Sequence, residues 1–487
     1  MGKTTVVYKD VAVGAAEAAS VTATGPTPES APAKLPFGQD TGAVVTLEHN
    51  RWILDGSMDR WYEDESYAFW SAALSGADGS FEEPPIITIA FSQQFSSMGV
   101  SFTFDAATGE YCSALNIKWY QGDTLKADQD FAPDSAQYFC EKKVESYDKL
   151  VITIQATSLP YRRAKINQIL FGIVRIFGME ELRNASIVNE MDEAAIELPV
   201  SSFSWTLDSL SDVEYMFQLK QPVEVRSAAG LLGVYYISSS SRQAASLYDI
   251  KCNDALGVLS ETQFAGGAYL SGVSAKTLLG ELAAPFAVEY ADGVEDATLK
   301  GLLLPQTRRE AIQQVLFAWG GVCLASDGGS ALRVFQQDST AEVIPKDRTF
   351  IGAAVDTASI VTKVSVTAHT YTADSGGSVQ VGGVSYKDTT TVYTVSNPNV
   401  TAGDRENVKE IPGATLVSTD IGQAVANRVY AYYAKRDTAT ARIVHKGEKL
   451  GDCLSVYTPW GTLVTGNLHK MEIKLSNTVV YGAEVTG

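Results

Sequence analysis

The sequence predicts a mainly β protein with some α, a multidomain α+β chain in which an N-terminal β-sandwich precedes β-barrel and α+β domains. Three observations carry this. Short runs rich in β-branched and aromatic residues recur along the chain, each bounded by Gly, Asp, Ser or Pro. Segments with a helical apolar period are few and short. The 487 residues, 45% hydrophobic and 20% charged, suffice for about three cored domains at a prior of ~150 residues each.

Residues 1–45 read as a strand, Val6 to Ala12, followed by a Thr/Pro/Ala/Ser-rich arm with Pro26, Pro28, Pro32 and Pro36. Such an arm wraps a neighbour or stays a solvated tail, because its composition buries little apolar surface. Residues 46–172 read as the sandwich. Its strands are Ile86 to Phe91, Val100 to Phe104, Leu115 to Tyr120 and Leu150 to Ile154, and Val100, Phe102 and Phe104 alternate onto one inward face. Trp52, Trp61, Tyr62 and Trp70 could stack on a pyranose ring, although tryptophan more often fills a core.

In residues 173–337 the strands Glu181 to Val188 and Ile196 to Leu207 flank a loop whose Glu190, Asp192 and Glu193 are expected to be solvated. Ser274 to Leu282, after Gly272, reads as a short helix. Thr307 and Glu310 have capping-box spacing, Ile312, Val315, Leu316 and Trp319 share a helical face, and Gly320-Gly321 ends the helix. A strand, the turn at Asp327-Gly328-Gly329 and the strand Leu332 to Phe335 follow. In residues 338–487 β character returns at Val364, Val366 and Ala368, at Thr389 to Val395, and in a ladder through Leu454, Val456, Leu463, Met471 and Ile473. One helix interrupts, capped from Ser418-Thr419-Asp420 with Ile421, Val425, Val429 and Tyr432 as its stripe.

Charge and motifs narrow the function. A net charge of -19 and a pI near 4.7 oppose specific binding of a phosphate backbone, which draws its affinity from Lys and Arg. Cys112, Cys140, Cys252, Cys323 and Cys453 are widely spaced and form no zinc pattern; reduced, buried thiols are expected, with Cys112 and Cys140 the pair that could meet inside one domain. The N-terminus has no signal-peptide core, and no run reaches the ~18 apolar residues of a membrane span. His49, His369, His445 and His469 are scattered, without a His-Glu-x-x-His helix or a Gly-x-Ser-x-Gly elbow. The residues call for no metal and no cofactor, and they single out no catalytic group. Paired carboxylates for glycoside cleavage stay open, since only their separation in space matters.

Two resemblances bear on this reading. Pro305-x-Thr307-x-Arg309-Glu310-Ala311-Ile312-Gln313-Gln314, with its following strand and Asp-Gly turn, resembles the central hub proteins of phage tail tips and baseplates. Phe217 to Val225, Leu232 to Ile237, Asp254 to Leu259, Gly451 to Val456 and Tyr481 to Val485 occur in the order such hubs show, so the likeness spans roughly residues 180–487. Leu54-Asp55-Gly56, Pro84-Pro85, Gly99-Val100-Ser101-Phe102 and Lys165 to Gly172 are similar to discoidin-type, galactose-binding-like modules.

The first resemblance implies a hub-like α+β body over 173–337 and a C-terminal β-rich hub domain over 338–487. It implies a virion structural protein assembled in the host cytoplasm, forming a closed homo-oligomeric ring, commonly a trimer, between the tail tube and tip or receptor-binding parts; the acidic charge then reads either as solubility through self-repulsion or as a channel wall that repels passing DNA. The second implies an adhesin that grips host surface glycan through the sandwich. A tail-associated cell-wall hydrolase is a third reading.

Overall fold

The computed structural model describes residues 4–12, 14–24, 69–105, 108–209, 215–228, 230–326, 331–337, 340–350, 353–401, 403–476 and 479–487. The chain is mainly β with few helices, and it divides into two compact units. One holds Tyr8–Arg175 with Glu214–Gln221, the other Met1–Val7, Ile176–Val213 and Pro222–Gly487. No helix among the described residues is long and apolar enough to cross a membrane.

The smaller unit contains the short helix α1 (Ala15–Ala18) and a six-stranded sheet. Its strands run in the order Ala19–Thr24, Ile86–Thr103, Gln137–Ala156, Ala114–Gln121, Thr124–Phe131, with Gln168–Leu170 also pairing Ile86–Thr103. Alternation drives this layer: Val100, Phe102 and Phe104 are buried, as are Leu115, Ile117 and Trp119. The runs expected as separate strands at 86–91 and 100–104 belong to one strand. The polar stretch between them is absorbed by three register shifts between Ala90 and Gly99, not by a turn. Gly99 makes the last shift possible, since at φ +150° a Cβ there would stand 2.1 Å from the carbonyl oxygen of Cys140.

This unit also takes back a distant piece of chain. Phe217 lies on the ring of Tyr8 at 4.6 Å, and the buried Tyr8 hydroxyl meets Asp10 Oδ1 at 2.8 Å and Gln221 Oε1 at 2.6 Å. Burial holds the Asp10 carboxyl above the usual range and the Tyr8 phenol far above its own.

The larger unit is organised by a long antiparallel run of strands: Pro222–Ser227, Gly230–Arg242, Leu247–Asn253, Ser202–Asp208, Leu182–Glu190, Leu463–Lys474, Val480–Thr486, Asp437–Val444, Ala354–Thr357. Cys453–Tyr457 joins it beside Leu463–Lys474. Of the helices, α2 (Ala255–Ser260) touches this run at Gly230–Arg242 and Leu247–Asn253, α4 (Arg308–Trp319) packs on α2 and on α3 (Ala275–Ala283), and α5 (Gly422–Ala434) lies on the strands Lys363–Ala373 and Val384–Ser396. Leu256, Leu279, Ile312, Leu316, Val366 and Val429 share one core cluster.

Helix α4 has the expected capping box: Thr307 Oγ1 accepts the Glu310 N–H at 3.2 Å, and the Glu310 carboxylate accepts the Thr307 N–H at 2.8 Å. Ala311, Ile312, Val315 and Leu316 are buried, Trp319 is half-buried, and Gly320 and Gly321 leave the helix at φ 72° and 70°. The strands Cys323–Ala325 and Leu332–Phe335 pair antiparallel as expected, with Val288–Tyr290 added parallel to the second; residues 327–330, the expected turn, lie outside the described residues.

Three further expectations need correction. The strand expected from Ile196 begins only at Ser202, because the carbonyls of Ala195, Ile196 and Leu198 are taken by side chains of α4 instead of a neighbouring strand. Glu193 is not solvated: its side chain is buried and ion-paired to Lys435 at 2.5 Å. Helix α5 starts at Gly422 after Ile421, without a side-chain cap, because Ser418 hydrogen-bonds Asp420, which also pairs with Lys300 at 3.1 Å.

Thr307→Ala is expected to cost about 1 kcal/mol of stability and Leu316→Ala about 2–5 kcal/mol, the first through a lost cap and the second through a cavity. Denaturant titration of the two variants checks this order of effects.

Candidate functional site

The residues that carry the hub resemblance can be followed to their atoms. Helix α4 turns its polar side chains onto backbone oxygens of other segments. Arg308 Nη1 donates to the Ala284 carbonyl at 2.6 Å, and Arg309 Nη1 to that of Leu198 at 2.5 Å. Gln313 Nε2 donates to Ala195 at 2.5 Å and Ile196 at 3.1 Å. From α5, Arg428 donates to the Phe317 carbonyl near the end of α4 and lies 5.5 Å from the Phe317 ring. Asp254 caps α2, its Oδ1 accepting from Gly257 at 3.0 Å and its Oδ2 from Ser201 at 3.1 Å. A donor bonded to a carbonyl that has no other partner satisfies a group whose orphaning in the interior would cost about 1–3 kcal/mol. These side chains are clamps.

An ionisable cleft of about 400 Å³ opens beside the clamped loop, lined by Glu190, Asp192, Glu197, Tyr432, His469 and Lys470 among others. Strand register explains much of it. Lys470 stands directly opposite Glu190 on one side and Glu484 on the other, so an ammonium sits between two carboxylates across three strands. Its Nζ lies 3.0 Å from Glu190, 3.3 Å from Glu472 and 3.8 Å from Glu484, and the hydrogen bond to Glu190, ahead of the others, raises its pKa. His469 faces Glu484 at 3.5 Å and Thr486 at 3.2 Å. Asp192 accepts the N–H groups of Ala194 and Glu197, both at 2.8 Å, while burial raises its pKa. These groups chiefly bind one another and the local backbone. Among the described residues no three His, Cys, Asp or Glu side chains gather as a metal site.

A second cleft, about 320 Å³, lies at a hairpin tip between Lys346, Thr349, Phe350, Tyr457 and Pro459, with Trp460 beside it 67% exposed. Sequence reasoning missed it, because a lone tryptophan in a Pro-Trp-Gly turn has no periodic signal.

Trp70 is one of the four aromatics that could stack on a sugar or fill a core. Its ring is 1% exposed, with Lys165 Nζ at 5.3 Å and the Arg163 guanidinium at 5.7 Å. Lys165 is buried with Asp105 at 3.7 Å. The Trp70 face is therefore already covered within its own unit. Trp52, Trp61 and Tyr62 lie outside the described residues. All five cysteines are free and buried; burial pushes the Cys112, Cys252 and Cys323 thiols up to about 12.

The sequence matches no family model and no curated protein. Solved structures do resemble it in backbone arrangement. A tail protein from Neisseria meningitidis aligns over 63% of this chain and 95% of its own, at 14% identity and a TM-score of 0.45. The 43 kDa tail protein of prophage MuSo2 from Shewanella oneidensis aligns over 64% and 95%, at 12% identity and a TM-score of 0.43. A prophage tail protein from Listeria monocytogenes aligns over 63% and 91%, at 13% identity and a TM-score of 0.41. With TM-scores below 0.5, these likenesses fix no residue-by-residue correspondence.

Asp254 makes the scaffold sensitive to pH. Burial raises its pKa from 3.8 to about 7, against the opposing pull of the Gly257 and Ser201 hydrogen bonds. A raised folded-state pKa means that the native state holds the proton more tightly. The stabilisation is complete below about pH 4 and is lost as pH rises through about 7. Stability of the larger unit should therefore fall between about pH 4 and pH 7 on this group's account, and level off above that. In Asp254→Ser, which keeps a capping oxygen without the charge, that slope should flatten in urea titrations across this range.

Proposed function

We propose that this chain is a structural component of a phage-type tail, built into its tip or baseplate. One observation carries the reading: the residues through which the sequence resembles tail hubs, Thr307, Arg309, Glu310, Gln313 and Asp254, all bond to the chain's own backbone. A segment whose polar groups are occupied in this way specifies a shape. The finer reading is a closed ring of copies, three-fold by the hub resemblance, that joins tube to tip and leaves a channel for DNA. The charge of -19 supports it, since an acidic wall does not hold a phosphate backbone. Partners are then further copies and the tube, distal-tail and receptor-binding components of the particle.

The adhesin alternative requires an aromatic platform open to solvent, which the buried Trp70 does not provide. Cryo-electron microscopy of intact particles, with antibody labelling of this chain, tests the proposal together with a peptidoglycan assay. Density and label in a ring at the tail tip, with no sugar or peptide released from peptidoglycan, is the expected result. Release of soluble fragments, or tight binding of the free protein to host cells without any place in the particle, would overturn it.

A further inference from the structure

The four-stranded sheet of the larger unit runs in the order Val379–Val381, Val384–Ser396, Lys363–Ala373, Val408–Ile411. Val384–Ser396 is paired on one side from Tyr386 to Ser396, that is from Ala373↔Tyr386 to Lys363↔Ser396. On the other side the neighbour covers only Val384 to Tyr386. Among the described residues, the edge from Lys387 to Ser396 pairs with no strand.

Which main-chain groups point into that open side follows from the hairpin. Gly382 and Gly383, at φ 59° and 80°, form a two-residue turn between Val381 and Val384. The residues flanking such a turn are a hydrogen-bonded pair, so the N–H and C=O of Val384 face the short outer strand. Alternation then points the groups of Asp388, Thr390, Val392, Thr394 and Ser396 outward. The parity is checked independently by Ser385, whose carbonyl faces the other way and accepts the Asp374 N–H at 3.0 Å.

Beyond Lys387 and Asp388 at one end, the edge carries none of the usual guards. From Thr389 to Ser396 the sequence is Thr-Thr-Thr-Val-Tyr-Thr-Val-Ser, with no charge, proline or glycine. Val392 is 60% exposed, and Thr390, Thr394 and Ser396 are exposed too. Other edge strands differ: Thr124–Phe131 carries Lys126, Asp128 and Asp130, and Ala354–Thr357 is four residues long and includes Asp356. A long uncharged edge with high β propensity is a template for strand addition.

We propose that this edge is a pairing site for a second copy of the chain, the two Val384–Ser396 strands lying antiparallel about a two-fold axis at Val392. The choice of occupant rests on self-complementarity. Outward-pointing residues must meet outward-pointing residues, and a pair centred on Val392 does this, with Val392 opposite Val392, Thr390 opposite Thr394 and Asp388 opposite Ser396. No like charges meet, and β-branched side chains face one another, a favourable cross-strand arrangement. The two four-stranded sheets become one. The contact is isologous and is a property of the free chain, so it does not depend on the tail reading.

Sedimentation velocity on the full-length chain tests this, with Val392→Pro, Val392→Lys and Val392→Cys as variants. Val392→Pro removes an outward N–H and leaves the inner ladder whole; Val392→Lys keeps the backbone and sets two ammonium groups face to face. The wild type should sediment as a dimer, and each of these two variants should raise the dissociation constant roughly tenfold or more with an unchanged circular dichroism spectrum. Under mild oxidation Val392→Cys should form a covalent dimer, and Thr391→Cys, which this register sets opposite position 393 of the other copy and two residues away from its own counterpart, should not. Should the proline variant fail to fold, the lysine variant decides. A monomeric wild type, a dimer that survives Val392→Lys, or equal cross-linking of the two cysteine variants would each overturn the proposal.

Discussion

The structure of the larger unit depends on one set of contacts, the donation of Arg309 and Gln313 from α4 to the carbonyls of residues 195–198. That loop connects two central strands, and its backbone oxygens have no strand to pair with. Without donors they would have to be buried unsatisfied or exposed by pulling the loop away from the core. The apolar face of α4 anchors the helix through Ile312, Val315 and Leu316, and its polar face then holds the loop. Burial supplies the energy, and the hydrogen bonds select one arrangement.

Once the loop is fixed, the ionic groups around it fall into place. Glu193 reaches Lys435 just past the end of α5, Asp192 turns back onto the N–H groups of its own loop, and Lys470 bridges the flanking strands. Charges that neutralise one another across adjacent strands act as register pins. The cleft they line is a consequence of the strand connection, with carboxylates already committed to neighbouring donors. This chemistry suits a part that must hold its shape while surrounded by other proteins.

Much of the fold was legible in the sequence where a local rule and the tertiary structure agree. The capping box at Thr307, the short helix from Ser274 and the alternation of Val100, Phe102 and Phe104 each needed only neighbouring residues to be read. The failures have a common cause in long-range pairing. The late start of the strand at Ser202 depends on side chains more than 100 residues away, as does the burial of Glu193 beside Lys435, 242 residues on. The merging of two expected strands into Ile86–Thr103 depends on bulges set against Gln137–Ala156. Of the aromatics considered for sugar stacking, Trp70 is buried beneath two cations that a sequence pattern cannot place. The ionisable cleft draws on strands from both ends of the unit and has no contiguous signature.

The central claim is that α4 acts as a structural clamp. Hydrogen–deuterium exchange on the full chain, wild type against an Arg309→Ala/Gln313→Ala double variant, tests it most directly. The account predicts that amides of residues 187–207 and of α4 lose protection together, by roughly tenfold or more for a loss of about 1.5–3 kcal/mol, while the sheet around Ile86–Thr103 is unchanged. Unaltered protection of the 187–207 segment in the double variant would contradict it.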